Sequence, residues 1–227
     1  DARKSRGLGD VYKRQAPHEK VVEKRFVDAI SDGIKEAMLK FDELIIMGQD
    51  IAEYGGVFKI TEGFVELFGK ERVRNTPICE SSIVEVAMGL SICNRKSIVE
   101  LQFSDFITSG FNPVVNYLAK IHYRWGQNAD VVLRMPCGAG VGAGPFHSQT
   151  NEAWFTKSPG LIVVYPAFPE DAKGLLISSI ENPNPVLFFE HKALYRSIRG
   201  NVPEGYYNIE IGKAKLLRIG TVSYTHL

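Results

Sequence analysis

A single glutamate, Glu80, lies where its side chain could take part in proton transfer. It follows the extended, proline-containing residues 75–79 and directly precedes a stretch with helical periodicity. A carboxyl group in this position can be semi-buried, so that its surroundings rather than bulk water set its proton affinity. Such a group can share a proton with a heterocycle. The alternative is an acid that only interacts with a helix N-terminus, and this is preferred for an isolated glutamate.

A histidine, His147, follows a glycine-rich segment at residues 138–144. Adaptable glycine backbone beside an imidazole is typical of a group that gives or takes a proton from a substrate. A histidine that caps a helix beginning near Asn151 is an equally good interpretation. No second histidine or carboxylate stands at ligand spacing from His147, which argues against a metal site there.

The same glycine-rich segment also suggests a dinucleotide-binding turn, because residues 138–143 fit Gly-x-Gly-x-x-Ala. A phosphate-binding turn opens directly into a helix, whereas Pro145-Phe-His intervenes here. The acid expected roughly 20 residues further on is absent from residues 158–165. A nicotinamide-dependent oxidoreductase is therefore the weaker hypothesis. The segment is expected to let backbone pass close to a ligand or partner chain.

Alternating helices and strands must position these groups. Short apolar runs predict buried strands, and apolar residues at helical spacing predict amphipathic helices. This alternation predicts an α/β fold with a mostly parallel sheet and helices on both faces. The predicted strands are residues 44–47, 97–101, 131–135, 161–165 and 186–190, and the predicted helices are residues 26–40, 63–68, 82–92, 110–125 and 169–180.

In sheets of this kind, ligands bind beyond the carboxyl ends of the strands. That rule selects the turn after Asp50, residues 102–106, the loop after Met135 and His191. Glu80 lies on a different connection, so the fold must bring it to these positions for a site to exist. Aromatic residues at such strand ends are more often part of the core.

Composition and charge exclude several classes of protein. The 227 residues are 44% hydrophobic and 23% charged, as in ordinary globular proteins. A net charge of +1 creates no field that recruits nucleic acid or an acidic membrane. No apolar run approaches the ~20 residues that span a bilayer. We therefore expect neither nucleic acid nor a membrane as a partner.

Three scattered cysteines, Cys79, Cys93 and Cys137, argue against a disulfide framework and against zinc. They indicate a reducing compartment, and all three are expected to be small buried residues.

Aromatic and basic side chains accumulate in the second half of the helix predicted at residues 110–125. Such a surface is typical of a permanent interface, with a solvated helix end as the alternative. Its members are Tyr117, His122, Tyr123, Arg124 and Trp125.

The ends of the chain differ from its middle. Residues 1–15 and 221–227 show no amphipathic pattern and are interpreted as non-native tails left by cloning or assembly. Residues 16–200 form the predicted α/β domain. Residues 201–220 are interpreted as a linker and the start of a C-terminal domain that the sequence does not contain.

Six segments together carry a specific resemblance. They are GQDIAEYGGVF (48–58), RNTPICE (74–80), VELQFSDF (99–106), FHSQ (146–149), PGLIVVYP (159–166) and FFEHKALYR (188–196). From about residue 26 to 220, the chain resembles the beta subunit of the thiamine-diphosphate-dependent first component of 2-oxo acid dehydrogenase complexes. It is most similar to the branched-chain (2-oxoisovalerate) type, with the pyruvate type next.

The resemblance implies a pyrimidine-binding domain of the transketolase-like family and a role for each matched residue. Glu80 is implied to hydrogen-bond the aminopyrimidine ring of thiamine diphosphate. Phe106 is implied to lie against that ring, where the branched-chain type usually has tyrosine, and Gln102 to line the same pocket. His147 matches the active-site histidine, which supplies a proton as the acyl group passes to a lipoyl arm. Glu85 stands where relatives mostly carry small residues, which the sequence does not explain.

The resemblance also implies partners and metals. No Gly-Asp-Gly…Asn motif for magnesium and the diphosphate is present, so an alpha subunit or a fused alpha-like half must supply it. A second beta copy, completing a heterotetramer, and a lipoyl acyltransferase core are the other implied partners. The implied location is the bacterial cytoplasm, or the mitochondrial matrix in a eukaryote. Pyruvate as the substrate, or a truncated non-catalytic assembly module, are the alternatives. In some relatives main-chain carbonyls hold potassium, and they map to Val131, Ser179, Asn182 and Asn184, with aspartate common at position 182.

Overall fold

The computed structural model describes residues 20–217, so the tails predicted at residues 1–15 and 221–227 lie outside the described part. The helices are α1 (Phe26–Lys40), α2 (Phe64–Phe68), α3 (Glu80–Ile92), α4 (Ala119–Trp125), α5 (Pro169–Glu181) and α6 (Leu194–Ser197). The strands are β1 (Val21–Arg25), β2 (Ile45–Gly48), β3 (Val73–Asn75), β4 (Ser97–Glu100), β5 (Val131–Cys137), β6 (Ile162–Val164), β7 (Val186–His191) and β8 (Arg199–Pro203).

Six strands form one parallel sheet in the order β3-β2-β4-β5-β7-β6. Because every strand runs the same way, all the carboxyl ends lie at one edge. In the register, Gly48 is opposite both Asn75 and Glu100, and Cys137 is opposite His191. The loops that leave these residues therefore meet at the edge where a ligand is expected.

Apolar side chains cover both faces of the sheet, as the continuous hydrophobic strands require. On one face, α1 and α5 contribute residues such as Ile30, Ile34 and Leu176. On the other face, α3 and the helical segments after residue 110 contribute residues such as Val84 and Leu118. The predicted α/β class, with helices on both faces, is confirmed.

Two elements differ from the predicted ones. Strands β1 and β8, which were not predicted, pair antiparallel as a separate ribbon, with Val22 opposite Val202. The proposed boundary after residue 200 therefore falls inside β8, and the start of a C-terminal domain stays a prediction. The helix predicted at residues 110–125 contains a π-helical segment, Pro113–Leu118, before α4 begins. A wide turn of this kind marks a local disturbance of the ordinary helical ladder.

One carboxylate, Asp32 on α1, joins three elements. Its Oδ2 accepts hydrogen bonds from Lys24 of β1 and from Lys173 of α5, each at 2.7 Å. Lys173 is fully buried. Burial acts to raise the pKa of Asp32, but the hydrogen bonds from Lys173 and Lys24 offset it, so the pKa lies below its ordinary value.

We expect Asp32→Asn to lower the free energy of unfolding at pH 7 by about 2–4 kcal/mol, because it leaves the buried Lys173 ammonium without its carboxylate. Since the pKa of Asp32 is lowered in the folded state, its stabilising contribution is present above about pH 4 and is lost as pH falls through the folded value. The difference from wild type should therefore shrink in acid. Urea unfolding at pH 7 and below pH 4 measures both effects. Asp42→Asn, at an exposed position, is the matched control; equal stability of the Asp32 variant and wild type at pH 7 would contradict the prediction.

Candidate active site

Glu80 is the first residue of α3, two residues earlier than the predicted helix start. Its side chain is buried with only 8% exposed, so the expectation of a sheltered carboxyl group is confirmed. The buried Gln49, which directly follows β2, donates from Nε2 to Glu80 Oε1 at 3.1 Å. A Cβ added at Gly110 would lie 3.3 Å from the carbonyl oxygen of Glu80, so the backbone at the start of α3 is closely covered. The carboxyl group is held in one place by its neighbours.

The segment before Glu80 is tied to the loop after β2. Asn75 ends β3, and its Oδ1 accepts a hydrogen bond from the backbone of Ala52 at 2.8 Å. Gly55 and Gly56 turn this loop at φ +78°, a conformation that glycine adopts without strain. Thr61 closes it by donating to the carbonyl of Ile51 at 2.6 Å. These bonds explain why Gln49 meets Glu80 although 31 residues separate them.

Gln102 and Asp50, at the carboxyl ends of the neighbouring strands β4 and β2, also meet. Gln102 Nε2 donates to Asp50 Oδ2 at 3.3 Å. Asp50 adopts a positive φ of 56°, which is uncommon for a residue with a side chain and marks a tight turn. The strand-end rule therefore selected residues that the fold does bring together.

His147 lies between two aromatic rings of the turn that follows β4. Its imidazole is perpendicular to both Phe103 and Phe106, with ring centroids at 4.8 Å and 5.4 Å. The two phenylalanines also contact each other edge to face at 5.8 Å. Edge-to-face packing of this kind fixes ring orientation. The histidine Nδ1 is buried and accepts or donates no hydrogen bond within residues 20–217, so it is free to serve a ligand.

The loop that carries His147 is fastened to the 3₁₀ turn Ser104–Thr108. Asp105 Oδ1 accepts hydrogen bonds from the backbone N–H groups of Ser148 and Gln149 at 3.2 and 3.1 Å. Asn151 Nδ2 donates to the carbonyl of Ser104 at 2.9 Å. The helix predicted near Asn151 is only a 3₁₀ turn, Glu152–Trp154, so the capping interpretation of His147 is wrong. Asn151 instead uses its side chain to bind the neighbouring turn.

The glycine-rich segment leads into the three-residue turn Pro145–His147 and not into a helix. Four of its glycines, at positions 138, 140, 142 and 144, have positive φ values. At Gly138 a side chain would also overlap the His191 ring. Because the loop does not lead into an α-helix, it provides no helix N-terminus for a pyrophosphate to bind. This agrees with the spacing argument against a dinucleotide site.

The four residues proposed for potassium lie at the other edge of the sheet. Val131 begins β5, and the neighbouring Ala129 N donates to the carbonyl of Pro183 at 3.0 Å, which brings this strand start against the 182–184 loop. Ser179 is buried in α5. Asn182 Oδ1 accepts from the backbone of Asn184 at 3.0 Å. Within residues 20–217 no group of three or more His, Cys, Asp or Glu side chains is arranged to hold a metal ion.

Two further expectations concern the surface. Cys137 is buried, but Cys79 and Cys93 are exposed, so the prediction that all three cysteines are buried is wrong for those two. They cap the two ends of α3, where the chain enters and leaves the helix at the surface.

On the α4 surface, Tyr123 and Trp125 are 95% and 73% exposed. In the described part of the chain, no helix is both long and apolar enough to cross a bilayer.

Comparisons with known proteins bear on the family and the fold of the chain. The family model described as "Transketolase, pyrimidine binding domain" matches residues 23–197. The 2-oxoisovalerate dehydrogenase subunit beta of Bacillus subtilis (strain 168) is 44% identical over 197 residues, covering 86% of this chain and 60% of the relative. The pyruvate dehydrogenase E1 component subunit beta of Staphylococcus epidermidis is 41% identical over 196 residues, with the same coverage.

A solved structure, a split gene transketolase described as an inactive beta4 tetramer, superposes with a TM-score of 0.59 at 20% identity. The superposition covers 73% of this chain and 50% of the transketolase chain. At 20% identity, this similarity shows the fold alone. The chain spans about 60% of the length of the curated relatives it matches. Because the family model covers most of the sequence, the chain belongs to the transketolase pyrimidine-binding-domain family.

Proposed function

We propose that this chain is the pyrimidine-side half of a thiamine-diphosphate-dependent 2-oxo acid dehydrogenase. The enzyme would decarboxylate a 2-oxo acid and pass the acyl group to a lipoyl domain, with an alpha subunit or fused alpha-like half completing the site. The observation that carries the proposal is the buried carboxyl group of Glu80, hydrogen-bonded by Gln49 at the carboxyl edge of the sheet. The names of the relatives support it independently.

The described residues fit the aminopyrimidine end of thiamine diphosphate. Glu80 Oε1 accepts from Gln49, whereas no side chain of residues 20–217 donates to Oε2, which leaves that oxygen for a ring nitrogen. Phe106 is half-buried and offers an aromatic surface beside His147. Glu80 and Phe106 would hold the pyrimidine, with Gln102 at the pocket wall. When bound, the cofactor supplies a thiazolium carbon that attacks the 2-oxo group.

Each residue then has a distinct task. Glu80 shares its proton with the ring nitrogen and so raises the acidity of the adjacent amino group. Proton transfer by a positioned side chain typically contributes about 10²–10⁴-fold in rate. Gln49 keeps the Glu80 carboxyl group in one orientation. Phe103 and Phe106 exclude water from the imidazole of His147, which delivers a proton when the acyl group moves to the lipoyl arm.

The substrate and assembly follow the same reasoning. We propose a branched-chain 2-oxo acid as the substrate, because the 2-oxoisovalerate relative is 44% identical. Pyruvate is kept as the alternative, because the pyruvate-type relative is almost as similar, at 41% identity. Magnesium and the diphosphate would be bound by the alpha-type half. A second beta copy and a lipoyl acyltransferase core complete the proposed assembly, and the exposed Tyr123 and Trp125 support a permanent interface. Potassium at the 182–184 loop and a cytoplasmic location (mitochondrial matrix in a eukaryote) belong to the same proposal.

Reconstitution with an alpha-type subunit tests the proposal. Calorimetry should detect thiamine diphosphate binding only after the alpha-type half is added, and the complex should release carbon dioxide from 3-methyl-2-oxobutanoate faster than from pyruvate. The reverse order of rates would favour the pyruvate type. A stable complex without turnover would favour a truncated assembly module. Tight binding of NAD to the chain alone would revive the oxidoreductase hypothesis.

A further inference from the structure

A buried lysine, Lys192, lies directly behind the aromatic ring that contacts His147. It follows β7, and its backbone N–H donates to the carbonyl of Cys137 at 3.0 Å, which fixes its position beside the end of β5. The residue is only 4% exposed. Its ammonium lies 5.0 Å from the centroid of the Phe103 ring, within the range of a cation–π contact.

The ammonium has no hydrogen-bond partner within residues 20–217. Burial lowers the pKa of Lys192, while electrostatic interactions with the Cys137 and Asp105 side chains act in the opposite direction. A buried cation that makes no hydrogen bond lowers the stability of a fold, because its lost hydration is not replaced. A buried lysine of this kind beside a candidate active site is a candidate for a functional role.

Asp105, a second buried charged residue, interacts electrostatically with Lys192. The residue is 5% exposed, and its Oδ1 accepts the two backbone N–H groups that follow His147. Its Oδ2 is buried and lacks a hydrogen-bond partner in the described part of the chain. Lys192 therefore contributes the positive charge near a buried anion that anchors the His147 loop, and its ammonium also packs on Phe103, against which the imidazole rests at 4.8 Å.

We propose that Lys192 is a positioning residue for His147: its buried ammonium compensates the Asp105 carboxylate and fixes the Phe103 ring, and so holds the imidazole in place. The inference rests on the proposed function only for the step that His147 serves. The inference predicts a local effect that a purely structural role does not produce. Removing the charge should leave the stability of the whole domain nearly unchanged, because the relieved burial of the ammonium offsets the lost compensation of Asp105, and yet it should loosen the His147 loop.

Three variants of the full chain test this: Lys192→Met, which keeps length without charge, Lys192→Arg, which keeps the charge, and Lys157→Met at an exposed position as control. In Lys192→Met, the backbone amides of Ser148 and Gln149 should exchange hydrogen about tenfold faster than in wild type, because local opening becomes easier. The melting temperature should stay close to that of wild type. Lys192→Arg should restore most of the protection, and Lys157→Met should match wild type.

The reconstituted enzyme gives the second measurement. The ratio of lipoyl-domain acylation to 2-oxo acid oxidation with ferricyanide as electron acceptor should fall about tenfold in Lys192→Met and recover in Lys192→Arg. Asp105→Asn removes the other charge and should raise exchange at the same two amides. In the double variant these amides should exchange no faster than in Asp105→Asn alone, as expected for two residues that act as a pair.

Three results would overturn the inference. The first is a lower melting temperature with both enzyme rates reduced in parallel, which would make Lys192 a structural residue. The second is unchanged amide exchange in Lys192→Met. The third is independent, additive effects of the Lys192 and Asp105 substitutions. If the wild-type complex itself fails to decarboxylate, the proposed function fails, while amide exchange still decides whether Lys192 holds the loop.

Discussion

Glu80→Gln should reduce 2-oxo acid decarboxylation by the reconstituted enzyme about 100-fold or more, with folding intact. Glutamine has nearly the shape of glutamate, and its amide oxygen can still accept the hydrogen bond from Gln49 Nε2, now 3.1 Å from Glu80 Oε1. It cannot share a titratable proton with a ring nitrogen. The loss should therefore appear in kcat, with little change in circular dichroism or melting temperature.

A matched control lies on the same helix. Glu85 is exposed on α3, so Glu85→Gln makes the same charge change five residues away without touching the site. We expect its decarboxylation rate to stay within about twofold of wild type, since surface substitutions have small effects. Nothing in the structure explains why a glutamate occupies this position. Near-normal activity of Glu80→Gln would remove the catalytic assignment, and equal losses in both variants would indicate damage to α3.

The sheet was predictable because its strands are buried on both faces. The apolar run at residues 186–190 became β7, Val186–His191, and the periodic stretch at 26–40 became α1 with the same bounds. β1 was missed because Val21-Val-Glu-Lys-Arg is more than half polar and has no fully buried residue, so it shows no clear hydrophobic alternation. Its stability comes from pairing with β8, far away in the sequence, which no local pattern encodes.

For the candidate site, the segments that come together were predictable, but the contacts between them were not. Strand-end topology selected Asp50, Gln102 and the His147 loop, because parallel strands place their carboxyl ends at one edge. Of the partners that hold these groups, Gln49 was not selected, and Asp105 was selected within residues 102–106 but without a predicted contact. Gln49 directly follows β2, so the same rule could have found it. Asp105 works by accepting backbone N–H groups some 43 residues away, and no spacing in the sequence marks such a bond.

Arg134→Met is expected to lower the free energy of unfolding by about 3–5 kcal/mol, the usual cost of removing one partner from a buried ion pair. Arg134 is fully buried at the centre of β5. Its Nε and Nη2 donate to the two oxygens of Glu190 at 2.7 and 2.8 Å, and its Nη1 donates to Glu100 at 2.6 Å. Without the guanidinium, the buried carboxylates of Glu100 and Glu190 would lose their counter-charge, and within the described part of the chain only Glu190 would keep a hydrogen bond, from the Tyr195 hydroxyl at 2.6 Å. Arg95→Met, at an exposed arginine, is the control.

Glu100→Gln separates charge from packing in the same network. This substitution leaves the bidentate Arg134–Glu190 pair intact and removes the charge of one of the two carboxylates that share a single guanidinium. It should therefore lower the free energy of unfolding far less than Arg134→Met does. Burial raises the pKa of Glu100 despite Arg134 nearby, so its contribution to stability is fully present below the ordinary glutamate value and is lost as pH rises through the raised value. The variant should therefore gain stability relative to wild type as pH rises from about 4, the ordinary glutamate value, through the raised pKa of Glu100. Urea unfolding across this range measures both changes. An Arg134→Met variant within about 1 kcal/mol of wild type would mean that the network does not hold the sheet together.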